Sequence, residues 1–215
     1  MKSLFFALTV AVSHPVAALA WDESDLAQLR ETGACQDCDL SGSDLRRAEL
    51  VGADLSRSDL SGAKLWAADL AGASLGGSNL AGANLAAATL TAAGLAGANL
   101  TQAYLTTADL ETADLTGADL TGAVMTQVRL AASDLSGATL TGAYMELANL
   151  SGATLTGADL SGVNLTSANL RGAVLSETRL AGAVLLGADL DGASLDNAIL
   201  CDTIMPDGTT DSSGC

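Results

Sequence analysis

Leucine recurs at every fifth position from residue 40 to residue 200. Among these 33 consecutive positions only Met125 and Met145 replace it, and no insertion or deletion breaks the register. Two residues before each of them lies a small side chain, Ala in 25 repeats, and two residues after them lies Gly in 18. The residue just before the Leu is usually polar, most often Asp or Asn. An internal period of this regularity determines the fold before any other feature is considered.

A five-residue period fits neither regular secondary structure. On a helix the Leu positions would spread around the axis, and on a flat strand they would alternate between faces. We therefore expect the chain to turn once per repeat, with Ala and Leu pointing inward from a short extended piece. The Leu, the next residue, the Gly and the next Ala would form a four-residue turn, whose third position has φ > 0 in a type II turn. The pattern predicts a β-solenoid but leaves the number of repeats per coil open.

The repeat unit, nearly intact as Ala-Asp-Leu-Ser-Gly at 158–162, resembles the repeats of the pentapeptide-repeat family. The resemblance covers residues 38–202. It implies an all-β fold, a right-handed four-sided β-solenoid with one repeat per side and therefore four repeats per coil. The repeat region, taken as 35–202, would then form about eight coils and a rod roughly 39 Å long at about 4.8 Å per coil.

Residues 1–20 have the features of a secretory signal. Lys2 supplies the positive start, 4–12 the apolar run and 18–20 a small-residue cleavage site. The run is too short to span a bilayer, which takes about 20 residues. We expect an exported protein, periplasmic or extracellular, that begins at Trp21 and makes no stable membrane insertion. A buried N-terminal strand is the alternative.

Both ends of the repeat region differ from the repeats. Residues 21–34 predict a capping helix, with Asp22 or Ser24 as N-cap and Gly33 as stop. Such a helix would cover the open edge and the Leu core of the first coil. Residues 203–215 predict a polar C-terminal tail.

Four cysteines allow three disulfide connectivities. In a rod, Cys35 and Cys38 lie at one end and Cys201 and Cys215 at the other, so only the two local pairs come within the roughly 7 Å between Cα atoms that a disulfide needs. Export to an oxidising compartment favours both pairings. A redox-active Cys-x-x-Cys at 35–38 is the alternative, and zinc is disfavoured because four ligands are not at hand.

Catalytic chemistry has few candidates in this chain. Signal cleavage would remove His14, the only histidine, and with it any Ser-His-Asp or Cys-His arrangement. Carboxylates such as Asp54 and Asp59 come from the repeat itself and are expected on a solvated face. We predict no enzyme, no catalytic residues, no metal and no cofactor.

The chain is strongly acidic, with a formal net charge of -16. Some members of the pentapeptide-repeat family mimic DNA and bind type II topoisomerases, which gives one alternative function. The export signal and the uncharged stretch 70–108 disfavour it, because a DNA mimic needs a continuous acidic track. Binding to nucleic acid itself is disfavoured by the sign of the charge.

With four repeats per coil, most of the large outward apolar side chains fall on one wall, apart from scattered exceptions such as Val51, Val174 and Ile199. It holds all of the repeats' aromatic residues, and its candidate binding face comprises Trp66, Tyr104, Val124, Tyr144, Leu147 and Leu186. Exposed apolar side chains gathered on one face indicate a contact surface. Stacked Thr101, Thr121 and Thr141 on another wall give a further alternative, the binding of ice or a crystal surface. We therefore expect a structural or protein-binding scaffold whose partner is an unknown protein or a second copy.

Overall fold

The computed structural model describes residues 22–215, so the predicted export signal at 1–20 lies outside the described residues. The described chain begins with α1 (Glu23–Thr32), continues through a long series of stacked coils and ends with β1 (Thr203–Ile204) and β2 (Thr210–Asp211).

The coils are held together by a parallel ladder that joins each repeat to the fourth repeat after it. The residue before each Leu forms a bridge with the residue at the same position four repeats later, from Ala34 with Asp54 to Val184 with Ile204. At one such position, the Asp119 N–H donates to the Ala98 carbonyl at 3.0 Å and the Leu120 N–H to the Thr139 carbonyl at 2.7 Å. Four repeats therefore make one coil. Each extended piece is a single bridge residue rather than a long strand.

A tight turn joins successive sides. The Ala118 N–H donates to the Leu115 carbonyl at 3.0 Å, which closes a four-residue turn with Gly117 at its third position. The backbone φ is positive at this third position in all 33 repeats. Gly117 has φ of 63° there, and Leu147 is held at 59° although it is not a glycine.

The core is a column of Leu side chains flanked by Ala. The Leu residues from Leu55 through Leu170 are almost completely shielded from solvent, as are the inward Ala residues that lie two positions before them. Toward the C-terminal end Leu190, Leu195 and Leu200 become only partly buried. The inward positions predicted from the sequence are therefore the buried ones.

Helix α1 lies against the N-terminal end of this column. The Asp22 carboxylate accepts the Ser24 N–H at 2.8 Å, and Gly33 ends the helix in the left-handed conformation. Leu26 and Leu29 are buried in the core. Of the two predicted caps, Asp22 is the one that the structure uses.

The C-terminal segment differs from the predicted polar tail at 203–215. Thr203 is buried, Ile204 bridges Val184 and Met205 packs on the core at the next inward position, so the solenoid continues one side further. The chain then turns back, because β1 pairs with β2 in antiparallel fashion. The Leu200 N–H donates to the Ser213 carbonyl at 3.1 Å, which ties the last residues to the end of the rod.

Each end carries one disulfide. Cys35 is bonded to Cys38, with Cα atoms 5.5 Å apart, and Cys201 to Cys215, with Cα atoms 4.7 Å apart. Cys35 also occupies an inward position of the five-residue register and is fully buried. The first bond therefore joins two successive inward positions of the first coil, and the second fastens the C-terminal segment to the solenoid.

Candidate interaction face

The parallel ladder places the predicted face on one wall. Asn84, Tyr104, Val124, Tyr144 and Asn164 form one column, each bridged to the next. We call the side of the solenoid that carries Trp66, Tyr104, Val124, Tyr144, Leu147 and Leu186 the apolar wall.

The apolar wall is exposed to different degrees along its length. Tyr104 and Tyr144 are 52% and 53% exposed, Leu147 54% and Leu186 47%. Val124 is half-buried between the two tyrosines. The only other exposed large hydrophobic residue in the described part of the chain is Val51, which lies on a different wall.

Basic residues surround Trp66 at the N-terminal end of the wall. The Arg47 guanidinium lies 4.8 Å from the centroid of the indole ring, which reduces the exposure of Trp66 to 38%. Arg46 forms an ion pair with Asp44 at 2.6 Å. Hydrogen bonding from the Arg46 side chain lowers the pKa of Asp44 to about 2. This end of the wall therefore has a polar, charged border.

The outward Asp and Asn residues serve the turns of the solenoid. The Asp119 carboxylate accepts the Thr121 N–H at 2.9 Å and the Thr121 hydroxyl at 2.6 Å. The same bond, from the residue after the Leu to the residue before it, recurs at Asn99 and Asp159. These are Asx turns, in which a side chain substitutes for a backbone acceptor. Sequence reasoning missed this role, because it treated the Asp residues only as a solvated face.

The apolar wall gives up this bond in three consecutive coils. Tyr104, Val124 and Tyr144 stand at the same position as Asp119 but have no side-chain oxygen that can reach the local N–H. Asn84 and Asn164, which flank them, still accept it, at 3.1 Å in both cases. The three apolar residues therefore do not serve the turns, and their side chains need another explanation.

Leu147 has a comparable property. Its backbone has φ of 59°, a region that disfavours residues with a side chain, and its side chain is exposed. The core gains nothing from this leucine. The turn imposes a positive φ on all 33 repeats, 15 of which have a residue other than Gly here, so the φ alone does not single out Leu147. The exposure of its large apolar side chain is what favours a role in a contact.

Other walls carry ladders of polar groups. Asn79 donates to the Asp59 carboxylate and Asn99 to the Asn79 side-chain carbonyl, both at 3.0 Å. Arg129 bridges Asp109 at 3.1 Å and Glu111 at 2.6 Å. These bonds join neighbouring coils and use polar groups that a ligand would otherwise engage. The hydroxyl of Thr121, one of the stacked threonines, is also engaged, because it donates to Asp119 within its own turn.

Two clusters bring cysteine and aspartate together, one at each end of the solenoid. Asp25 lies near Cys35 and Cys38, and Asp202 near Cys201 and Cys215. Both cysteine pairs are disulfide-bonded, and a disulfide offers no thiolate to a metal.

Within residues 22–215, no helix has the length and apolar character needed to cross a membrane.

The family model for pentapeptide repeats matches most of the chain, in segments at 35–65, 68–106, 93–131, 129–166 and 168–205. The chain belongs to the pentapeptide repeat family. Membership implies the right-handed β-helix, and the ladder between every fourth repeat corresponds to one repeat per side. The match ends at residue 205, where the structure places the last inward residue of the register.

Three solved pentapeptide repeat structures illustrate the similarity. HetL from the cyanobacterium Nostoc, involved in heterocyst differentiation regulation, is 35% identical with a TM-score of 0.55, over 83% of this chain and 91% of HetL. A protein of the Arabidopsis thaliana thylakoid lumen is 29% identical with a TM-score of 0.30, over 42% and 63%. QnrB1, a plasmid-mediated fluoroquinolone resistance protein, is 19% identical with a TM-score of 0.37, over 76% and 92%. A comparison with curated proteins gave no match.

Proposed function

We propose that this protein is an exported, non-enzymatic β-solenoid that binds protein through its apolar wall. The observation that carries the proposal is the Tyr104–Val124–Tyr144 column. In three consecutive coils these residues stand where many other repeats have the Asp or Asn that closes the turn, and each tyrosine remains about half exposed.

The energetics of the column favour a contact. An Asx turn at each of these positions would add a hydrogen bond, typically worth about 0.5–1.5 kcal/mol. Folding gains little from side chains left in water, whereas burial of aromatic and aliphatic surface against a partner contributes roughly 25 cal/mol per Å². Tyrosine is also enriched at the centres of protein interfaces. The wall is therefore better suited to a partner than to solvent.

The state of the ionisable groups supports a role without catalysis. Each carboxyl whose pKa is shifted in the described chain is shifted downward, as at Asp54, where the Ser56 hydroxyl and N–H hydrogen-bond to it. A general acid at neutral pH needs the opposite, a pKa raised by burial. The four cysteines are bonded in pairs, so none offers a nucleophilic thiolate.

Export rests on the predicted signal and is consistent with the two disulfides. Disulfides persist in oxidising compartments and are rare in the cytosol. Mass spectrometry of the protein from its own cells should find an N-terminus at Trp21 in the periplasmic or extracellular fraction. The intact chain in the cytosol would contradict this part of the proposal.

The binding role is tested with a variant of the column. We expect the triple variant Y104S/V124T/Y144N to fold as the wild type does, because none of the three side chains points into the core. Used as bait in the periplasmic or extracellular fraction, it should lose proteins that the wild type captures. V174T is the matched control, because Val174 stands at the same register, half-buried, on the opposite wall. Equal capture by wild type and triple variant would leave the apolar wall without a binding role.

A further inference from the structure

One column of the apolar wall has the same residues for two coils in both directions around Val124. It contains Asn84, Tyr104, Val124, Tyr144 and Asn164, one coil apart, so that Tyr lies one coil away and Asn two coils away on each side. A stability requirement on each coil separately gives no reason for such symmetry.

The column that follows the Leu positions has the same centre. Trp66 lies three coils before the level of Thr126, and Leu186 lies three coils after it. They are the exposed large hydrophobic residues of that column. Within two coils of Val124 in the first column, and at three coils from Thr126 in the second, matching side chains therefore lie at equal distances from one level of the rod. Farther out in the first column the match ends, with Lys64 on one side and Val184 on the other.

We propose that a second copy of this chain covers the apolar wall in an antiparallel twofold dimer. The twofold axis would lie in the interface, perpendicular to the rod at the level of Val124. Such an axis keeps each column opposite itself and reverses its direction, so Val124 meets its own copy. Tyr104 then meets Tyr144 of the second copy. An isologous contact requires this self-complementarity.

The outer positions pair in the same way. Asn84 lies opposite Asn164 of the second copy, where two amides form hydrogen bonds with each other. Trp66 lies opposite Leu186 of the second copy, so the apolar ends of the wall cover each other.

The charges on the wall favour the antiparallel orientation over the parallel one. Arg46, Arg47 and Lys64 lie on its first two coils together with Asp44, which pairs with Arg46, so three cations and one anion leave this end of the wall with a net charge of +2. A parallel dimer would place these cations opposite their own copies, and like charges across an interface disfavour association. Arg47 lies four coils before the level of Gln127, and the exposed Asp207 lies four coils after it. The antiparallel dimer therefore places Arg47 opposite Asp207 of the second copy.

The proposal rests on the proposed function, because it names the protein that binds the apolar wall. The six coil steps from Trp66 to Leu186 span about 29 Å, at about 4.8 Å per step. A contact of this length on a single wall is at the small end of specific interfaces, so we expect a dissociation constant on the order of micromolar.

Sedimentation velocity of the oxidised protein over a concentration series tests the dimer. The wild type should shift from monomer to dimer across the micromolar range. V124K places two like charges together at the axis and should weaken the dimer about tenfold or more. V174K, the same change at the same register of the opposite wall, should leave it unchanged. A wild type that stays monomeric to about ten times the expected dissociation constant, or equal effects of the two variants, would overturn the proposal.

A pair of double variants tests the orientation. Y104K/Y144E places Lys opposite Glu of the second copy in an antiparallel dimer and should associate, with a dependence on salt. Y104K/Y144K places Lys opposite Lys and should be monomeric. In a parallel dimer both variants place like charges together, so monomeric Y104K/Y144E would overturn the antiparallel arrangement. If the wild type is monomeric while Y104S/V124T/Y144N still loses captured proteins, the dimer fails and the proposed function stands.

Discussion

The outward aspartates of this protein combine two roles in one side chain. At Asp119 the carboxylate faces solvent and also accepts the Thr121 N–H and hydroxyl, so it closes a turn. Hydrogen bonds of this kind recur around the solenoid, which makes the polar residue of the repeat part of its backbone structure.

Substitutions at Asp119 distinguish the contribution of its hydrogen-bond acceptor to stability from the contribution of its negative charge. Asp119→Ala removes the acceptor and should lower the free energy of unfolding by about 1 kcal/mol, whereas Asp119→Asn keeps a carbonyl oxygen and should have little effect. Urea denaturation of both variants gives the comparison. Equal losses in the two would mean that the charge, rather than the turn bond, stabilises the site.

The carboxyl of Asp44 predicts how stability depends on pH. The Arg46 side chain holds its pKa at about 2, below the ordinary value of 3.8. Because the folded-state pKa is the lower one, the ionised form favours folding. This contribution is complete above pH 4 and is lost as the pH falls toward 2. The melting temperature of the wild type should fall over that window, and the melting temperature of Asp44→Asn should fall less steeply. An identical acid dependence of the two proteins would contradict the assignment.

A substitution at Leu147 should change stability and binding in opposite directions. Leu147→Gly relieves a residue held at φ of 59° and should raise the free energy of unfolding by up to about 1 kcal/mol, while it weakens the contact of the apolar wall. Glu177→Gly is the control, because Glu177 has φ of 61° at the same turn position on the opposite wall. It should stabilise the protein without an effect on association. Measurement of both variants by denaturation and by sedimentation checks this, and loss of stability in Leu147→Gly would refute the strain argument.

At the scale of the element, the two ends are closed by different means. Helix α1 buries Leu26 and Leu29 against the first coil, and the C-terminal residues fold back as an antiparallel pair tied by the Cys201–Cys215 bond. In a repeat protein each coil is stabilised by its neighbours, so terminal coils need such covers.

The contribution of α1 can be measured at Leu29. The side chain is 2% exposed, so Leu29→Ala should cost about 2–5 kcal/mol of unfolding free energy. Glu31→Ala, at an exposed position of the same helix, should cost little. If Leu29→Ala leaves the denaturation curve unchanged, the helix does not stabilise the solenoid.

The sequence predicts the interior of this molecule better than its ends. The five-residue period is sufficient to identify the inward Leu and Ala residues, because every repeat faces the same steric problem. The end segments are not repeats, so no recurring pattern of Leu and Ala shows which of their residues point inward. Met205 was nevertheless detectable, since it keeps the register and lies on the same wall as Met125 and Met145.

Two features of the candidate face could not be read from the period. The shielding of Trp66 depends on Arg47, a neighbour in space one coil away. The significance of Tyr104 depends on the Asx turn that it replaces, and that turn becomes visible only when side-chain positions are known. To assign these residues to one wall requires the coil length of four repeats, which the family resemblance implies and the period alone does not.

At the scale of the whole molecule, the protein is an acidic rod with one apolar wall. The polar ladders of the other walls join coil to coil within the chain, as Arg171 does with Asp189 and Asp191. Polar groups paired in this way are less available to a partner than the exposed side chains of the apolar wall. The proposed function requires that a protein covers this wall under native conditions.

The two tyrosines of the chain, Tyr104 and Tyr144, both lie on the apolar wall, so tyrosine chemistry reports on this wall alone. Nitration with tetranitromethane, followed by mass spectrometry, measures their access to solvent. In the protein's native extract we expect both to react more slowly than in dilute purified V124K, because a protein covers them. Equal nitration rates in the two samples would show that the wall is free and would contradict the proposed function.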